Sequence, residues 1–338
     1  MSRKMFLTCS LVGLGACAAP GSMIEIAVTP PEQLCAGENL PHGATCMPIA
    51  KLERLLTHGE MTLLRVKGTS TGTAGAKAMW VKFPKDSTTL KMKWKESARG
   101  GAALNNEPRK ELAAYELQKL FLDPDEYVVP PTAARCIPLD LYENEVRHTK
   151  PTFPDTRCAF GVVSYWLQGM EVLKEIDATR FENDLLYRKA IVNLNVFTFL
   201  FDHRDPRPAN FLITKSPDQT RAFAIDNGLA LDGLTNPRAA FLKEWQQLRI
   251  KKLPHALVDR LRKITRADLD SLATVAELAI DGGQMDTIER TAAFSAGESI
   301  RRKGNVIQLG LTKSEIDSIE KRLAQILRLV DEGKLSSY

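Results

Sequence analysis

Hydrophobic and polar positions divide the chain into a strand-rich first part and a second part that we predict to be mostly helical. Residues 61–66 and 78–83 are short apolar runs separated by a turn of small residues, which is typical of two strands. Further strands are expected near residues 127–129 and 160–167. This order predicts an α+β fold with two lobes that meet at a cleft near residue 168.

Helical spacing is clearest in three segments. A helix is expected from Pro108 to about Leu122, and another over 182–201; a capping box at Thr312 and Glu315 begins a third. The apolar positions that these helices should bury are Ala113, Leu117, Leu120 and Phe121, then Leu186, Ala190, Leu194, Phe197 and Phe201, then Ile316, Ile319, Leu323, Ile326, Leu327 and Val330. Between the second and third helices, 211–213 and 222–225 flank a polar turn and predict a small hairpin.

Composition and charge exclude several classes of protein. The 338 residues are 44% hydrophobic and 26% charged, which is ordinary for a globular chain and excludes a disordered or collagen-like one. No apolar run reaches the roughly 18 residues that a membrane-spanning helix needs. The net charge of +5 is too small for this length to indicate a nucleic-acid partner.

The N-terminus has the pattern of an export signal. Arg3 and Lys4 precede about a dozen uncharged residues, and the segment ends in Leu14-Gly-Ala-Cys17. These four residues resemble the lipobox of bacterial lipoproteins, which implies cleavage before Cys17, lipidation of Cys17 and attachment to a membrane. We therefore expect a signal peptide at 1–16, an irregular extension at 17–50, a first lobe at 51–168 and a second lobe at 169–338, in a protein that is secreted or held in the cell envelope.

Cysteine usage agrees with export. Four cysteines lie beyond Cys17, and they allow three pairings. We favour Cys35–Cys46 and Cys136–Cys158, since each closes a short loop rich in turn-forming residues. Disulfides persist in oxidising compartments, although four separate buried thiols would give the same count.

The most informative motif is His203-Arg-Asp205, which is followed five positions later by Asn210 and then by an apolar run. Asp226-Asn-Gly228 comes 21 residues after Asp205, directly after a second apolar run. Upstream, Lys82 lies on a predicted strand and Glu111 lies in the next predicted helix.

These residues resemble the protein-kinase-like superfamily over about residues 61–330. The spacing from His203 to Asn210 matches the catalytic-loop pattern H-R-D-x-x-x-x-N of that superfamily. The closer likeness is to its HipA-type kinases, type II phosphatidylinositol 4-kinases and secreted animal kinases, through 80–84, 110–121, 128–132 and 225–229.

The resemblance implies a role for each residue. Lys82 would hold the phosphates of ATP, Glu111 would hold Lys82, and Asn210 and Asp226 would bind Mg²⁺ or Mn²⁺. Asp205 would orient the acceptor hydroxyl and receive its proton, with Arg207 near the transferred phosphoryl group. Gly72, in the glycine turn, and Trp166 and Leu167, where a hinge would meet adenine, complete the expected nucleotide site.

Alternatives remain at two positions and for the function itself. Lys77 competes with Lys82, and Glu107, one turn before Glu111, competes for the pairing role. We expect an ATP- and Mg²⁺-dependent kinase that phosphorylates a hydroxyl, most often of a protein Ser or Thr. A lipid or small-molecule kinase and an AMP transferase would use the same residues. An exported pseudokinase that only binds partners is the other class, because a bacterial periplasm is not expected to hold ATP.

Overall fold

The computed structural model of the chain describes residues 34–35, 47–69, 75–103, 106–167, 169–205, 207–215, 220–231, 245–295 and 297–338. Within them the fold is mixed α+β. The helices are α1 Ile49–His58, α2 Pro108–Gln118, α3 Leu139–Glu145, α4 Ala178–Asn183, α5 Leu185–Leu200, α6 His255–Lys263, α7 Arg266–Asp270 and α8 Lys313–Asp331. The strands are β1 Leu34–Cys35, β2 Met47–Pro48, β3 Thr62–Gly68, β4 Lys77–Phe83, β5 Thr88–Glu96, β6 Thr132–Pro138, β7 Cys158–Tyr165, β8 Met170–Val172, β9 Phe211–Thr214, β10 Ala222–Ala224, β11 Lys252–Leu253, β12 Ala276–Asp281, β13 Gln284–Ile288, β14 Ile300–Lys303, β15 Val306–Leu309 and β16 Ser336–Ser337.

A five-stranded antiparallel sheet, in the order β3-β4-β5-β7-β6, organises the first half of the chain. Alternate residues of β4 and β5 are buried in the core: Met79, Val81, Phe83, Leu90, Met92 and Trp94. The strands predicted at 61–66, 78–83 and 160–167 are confirmed within a few residues. The prediction at 127–129 is wrong, since the strand begins at Thr132, and β5 was not predicted at all.

A disulfide joins the last two strands of this sheet. Cys136 on β6 and Cys158 on β7 are bonded, with their Cα atoms 5.4 Å apart, as the loop argument predicts. The other predicted pair includes Cys46, which lies outside the described residues, as do the predicted signal and Cys17.

Helix α2 is buried on nearly all sides, including its charged residues. Pro108 stands at its first position, where a missing N–H costs no hydrogen bond. Arg109, Lys110 and Glu111 follow, each less than a tenth exposed. The Arg109 guanidinium donates two hydrogen bonds to Glu315 at the start of α8, at 2.7 and 2.9 Å. This bidentate ion pair fixes α2 against a helix more than 200 residues away in sequence.

The segment predicted as one helix over 182–201 is two helices, because Asp184 caps the second one. Its side chain accepts a hydrogen bond from the backbone N–H of Tyr187, and α5 begins at Leu185. Leu186, predicted to be buried, is half exposed, whereas Leu194, Phe197 and the other predicted residues of that stripe are buried. The hairpin is confirmed as β9 and β10, paired antiparallel.

The prediction that the remaining chain is mostly helical is wrong over residues 276–309. These residues form a four-stranded antiparallel sheet in the order β13-β12-β15-β14. Gly282 and Gly283, both at positive φ, make the tight turn between β12 and β13. Strand β13 packs against β6 and α1, so the later part of the chain returns to the first sheet.

Helix α8 has the predicted capping box, in which Thr312 and Glu315 bond each other's backbone N–H groups. Its apolar residues Ile316, Ile319, Leu323 and Ile326 are buried, while Leu327 and Val330 are partly buried against the core. Of the helices that the structure describes, none has the length and apolar character needed to cross a membrane. The boundaries proposed at 16, 50 and 168 stay predictions.

Candidate functional site

A cavity of about 210 Å³ lies where β5, α2, the segment after β7 and the β9–β10 hairpin meet. One part of its lining is apolar: Ala76, Val129, Leu167, Leu212 and Ile225. Another part is charged or polar: Lys93, Lys95, Glu111, Arg207, Asn210, Asp226 and Asn227. The cavity is therefore amphipathic, which is the character of a site for a small molecule with an apolar ring and an anionic group.

Lys95 lies at the centre of the polar part. Its ammonium donates to Glu111 Oε1 at 3.1 Å and to Asp226 Oδ1 at 2.7 Å, and its side chain is only 4% exposed. Burial alone would lower the pKa of Lys95, but the two carboxylates outweigh burial and raise it. The lysine is therefore held charged and extended between α2 and the segment after β10.

Glu111 links this lysine to the backbone beside Asp226. Its second carboxylate oxygen, Oε2, accepts a hydrogen bond from the backbone N–H of Asn227 at 3.0 Å. Because α2 is itself fixed to α8 through Arg109, the position of Glu111 depends on contacts made far from the cavity.

Asp226 has an unusual backbone and an unusual set of neighbours. Its φ of 60° places it in the left-handed region, which is rare for a residue with a side chain and is typical of functional sites. Besides Lys95, the ammonium of Lys93 lies 3.7 Å from its Oδ1 and the guanidinium of Arg207 lies 3.1 Å from its Oδ2. Burial would raise the pKa of Asp226, but the charges of Lys93 and Lys95 outweigh it and hold that pKa below its usual range.

The loop from His203 to Asn210 supplies the other predicted residues. Asp205 is buried and accepts hydrogen bonds from Arg207 Nε at 2.9 and 3.0 Å, one to each oxygen. Asn210 lines the cavity, and its backbone carbonyl accepts from the N–H of Ile225 at 2.9 Å, which ties the loop to the Asp226 segment. His203 is buried against the ring of Phe211.

The predicted pairing of Lys82 with Glu111 is wrong. Lys82 is exposed on β4 and lies opposite Thr89 in the sheet, six residues before Lys95. Six residues of strand span about 20 Å. Lys77, the alternative, lies opposite the buried Trp94 rather than opposite Lys95. A lysine of β4 at either position is therefore not the cation that meets Glu111.

The second alternative was that Glu107, rather than Glu111, pairs with the lysine. This carboxylate forms ion pairs with Arg109 and Lys110, whereas Glu111 contacts Lys95. Of the predicted nucleotide-binding residues, Trp166 and Leu167 line the cavity. Gly72 lies outside the described residues. Asp205 is absent from the lining but contacts Arg207, which belongs to it.

Lys93 and Lys95 were missed in the sequence analysis, although the pattern of residues around them predicts the strand that carries them. Polar and apolar residues alternate strictly from Thr89 to Lys95, which is the pattern of a half-buried strand. That alternation puts Lys91, Lys93 and Lys95 on one face.

Among the described residues, no group of three or more His, Cys, Asp or Glu side chains could by itself hold a metal ion. The arrangement combines a cation-rich polar end, one partly accessible carboxylate at Asp226 and a neighbouring amide at Asn210. Such a set suits a ligand that brings its own negative charge. No family model matches the chain, and no curated protein matches it significantly.

Proposed function

We propose that this protein is a phosphotransferase of the protein-kinase-like type, which uses ATP with Mg²⁺ or Mn²⁺ to phosphorylate a hydroxyl group, most often on a protein Ser or Thr. The observation that carries the proposal is the buried Lys95, bonded to both Glu111 and Asp226 at the polar end of an amphipathic cavity. The two-lobed arrangement and the kinase-like resemblance belong to this proposal.

The cavity suits a nucleotide because its two ends differ in character. The adenine would lie among the apolar residues near Val129 and Leu167, and the phosphates would lie toward Lys95. Phosphoryl transfer depends mainly on positioning and charge neutralisation. A charged lysine kept extended by Glu111 meets that need.

Asp226 and Asn210 would hold the divalent cation. Mg²⁺ takes hard oxygen ligands and usually keeps several waters and substrate phosphates, so one carboxylate and one amide suffice. The fit is supported by the oxygen ligands that these two side chains offer, since both Asn210 and Asp226 line the cavity. When bound, the cation neutralises the charge that develops on the phosphates.

Asp205 would act on the acceptor. Its carboxylate would receive the proton of the hydroxyl while that oxygen bonds to the γ-phosphorus and the bond to the bridging oxygen of ADP breaks. Arg207 now engages both oxygens of Asp205. The guanidinium therefore competes with the acceptor hydroxyl for this carboxylate.

This same contact favours a second candidate function, that of a nucleotide-binding protein without transfer activity. If Arg207 stays bound to both oxygens of Asp205, it opposes the approach of the acceptor hydroxyl and the transfer of its proton. A pseudokinase of this kind would still bind nucleotide through Lys95 and Asp226. The two candidates differ in turnover but agree in binding.

Export to the cell envelope is also part of the proposal. The Cys136–Cys158 disulfide supports it, since such bonds persist in oxidising compartments. Comparing whole cells with spheroplasts for protease access to the protein tests this point. Protection in both preparations would contradict it.

The direct test is transfer of label from ATP in the presence of Mg²⁺ or Mn²⁺, with binding measured in parallel. We expect label from γ-labelled but not from α-labelled ATP, no transfer by Asp205→Asn and neither transfer nor metal-dependent binding by Asp226→Asn. Binding with no transfer would support the non-catalytic candidate, and α-label in the product would indicate AMP transfer. Absence of both binding and transfer would overturn the proposal.

A further inference from the structure

Strand β5 brings two lysines into the cavity, and only one of them has a role in the proposed reaction. Lys93 and Lys95 are separated by one residue, so both lie on the face of β5 that meets the cavity. Their Cα atoms are therefore about 7 Å apart along the strand. Lys91, one step further, places its ammonium 3.8 Å from the centre of the Trp166 ring. Lys93 thus lies between the polar end of the cavity and the end near Trp166.

Lys93 is held much more loosely than Lys95. The ion pair recorded for it among the described residues is with Asp226 Oδ1, at 3.7 Å, and that oxygen already accepts a hydrogen bond from Lys95 at 2.7 Å. The side chain of Lys93 is 22% exposed, against 4% for Lys95. Its ammonium is therefore available to a ligand that enters the cavity.

The balance of charges around the cavity leads to the same conclusion. Lys95 also pairs with Glu111 and Arg207 also pairs with Asp205, whereas the ion pair recorded for Lys93 is with Asp226, a carboxylate that all three cations share. In the proposed function Asp226 binds a divalent cation. Lys93 would then face the cavity without a protein carboxylate, and a partly buried cation is stable only near a compensating anion.

We infer that Lys93 is a second phosphate-binding lysine, which contacts the nucleotide at its α-phosphate, closer to its base than Lys95 does. This inference rests on the proposed nucleotide site. The ligand class it assigns is a nucleoside polyphosphate, recognised by two ammonium groups spaced along one strand.

Isothermal titration with ATP, ADP, AMP and inorganic tripolyphosphate tests the inference. We expect Lys93→Gln to weaken ATP and tripolyphosphate binding about tenfold or more, since a charge-assisted contact is lost. AMP binding should weaken to a similar degree, because AMP carries the phosphate nearest the base. Lys93→Arg should restore most of the loss.

Lys82→Gln is the matched control, because Lys82 is an exposed lysine on the same face of the neighbouring strand. It should leave all four affinities unchanged. Unfolding midpoints without ligand verify that each variant is folded. If Lys93→Gln is not folded, Lys93→Met replaces it as the variant without the charge.

The possible results separate the inference from the function on which it rests. If the wild-type protein binds ATP and Lys93→Gln binds it equally well, or loses affinity for ATP but not for AMP, the inference is wrong and the nucleotide site remains. If tripolyphosphate binds through Lys93 but ATP binds no better, the inference holds and the proposed function fails. If the wild-type protein binds none of the four ligands, both are wrong.

Discussion

Strands β4 and β5 are neighbours that carry lysines on the same face, yet only β5 delivers lysines to the cavity. Lys82 on β4 is exposed, whereas Lys95 on β5 is buried between two carboxylates. The strand register explains the difference, because Lys82 lies opposite Thr89, about 20 Å along the sheet from Lys95. A lysine on a strand gains a chemical role from the elements that pack beside it, here α2 and the Asp226 segment.

The largest effect is expected from replacing Lys95, with the same replacement of Lys82 as the comparison. Lys95→Met should reduce phosphate transfer at least about hundredfold, since one strong electrostatic contact to the reacting group is lost. It should also destabilise the fold by about 3 kcal/mol or more, because Glu111 and Asp226 are left without their buried cation. Lys82→Met should change neither property. Steady-state transfer and urea unfolding of both variants give the comparison, and a larger loss for Lys82→Met would reverse our assignment.

The next largest effect is the loss of stability expected when the disulfide between β6 and β7 is removed. The Cys136–Cys158 bond closes a loop with a sequence separation of 22 residues. Replacing both cysteines with alanine should lower the free energy of unfolding by about 3 kcal/mol, through the greater entropy of the unfolded chain. Reductant should destabilise the wild-type protein to a similar degree and leave the double variant unchanged. A wild-type protein insensitive to reductant in partial urea would contradict this expectation.

A smaller effect is expected from the contact that holds α2, and so Glu111, in place. Glu315→Gln should cost about 2 kcal/mol of stability, because the buried Arg109 loses a charged hydrogen-bond partner. Lys313→Gln, which removes an exposed ion pair with Asp317 on the same helix, is the control and should cost less than about 0.5 kcal/mol. Equal losses in the two variants would mean that the Arg109 contact does not hold α2.

The smallest effect is a dependence of stability on pH near the cavity. Burial lowers the pKa of His203 from its ordinary value of 6.5. The unfolded chain therefore takes up a proton below pH 6.5 that the folded chain does not, and stability falls as the pH drops. The slope is at most about 1.4 kcal/mol per pH unit. Unfolding between pH 7 and pH 5 should show this slope in the wild-type protein and a shallower one in His203→Asn. Identical slopes would exclude His203 as its source.

Much of the candidate site can be predicted from the sequence because its residues belong to short local motifs. Asp205, Asn210 and Asp226 lie on loops beside a hairpin whose two apolar runs are plain in the sequence. The capping box of α8 is equally local. Glu111 also follows from its place in a helix that begins at a proline.

Two errors came from patterns that were present but not used. The alternation over β5 would have identified the strand that carries Lys95, and Asp281-Gly-Gly283 would have marked a hairpin in the region expected to be helical. The first is a period-two signal in a strand whose polar positions are mostly lysines, and the second is a two-residue turn signal.

Other features depend on contacts between distant parts of the chain. Nothing local indicates that Arg109 is buried, since its partner Glu315 is more than 200 residues away. The contact of Arg207 with Asp226 likewise arises only when two loops meet.

The most direct test of the account is the effect of ATP with Mg²⁺ on the stability of the wild-type protein. A ligand at 100 times its dissociation constant adds about 2.7 kcal/mol to the free energy of unfolding. We predict a stabilisation of this size for the wild-type protein and for Lys82→Met, and none for Lys95→Met at the same ATP concentration. Equal stabilisation of all three proteins, or none in any of them, would contradict the claim that Lys95, Glu111 and Asp226 form a nucleotide site.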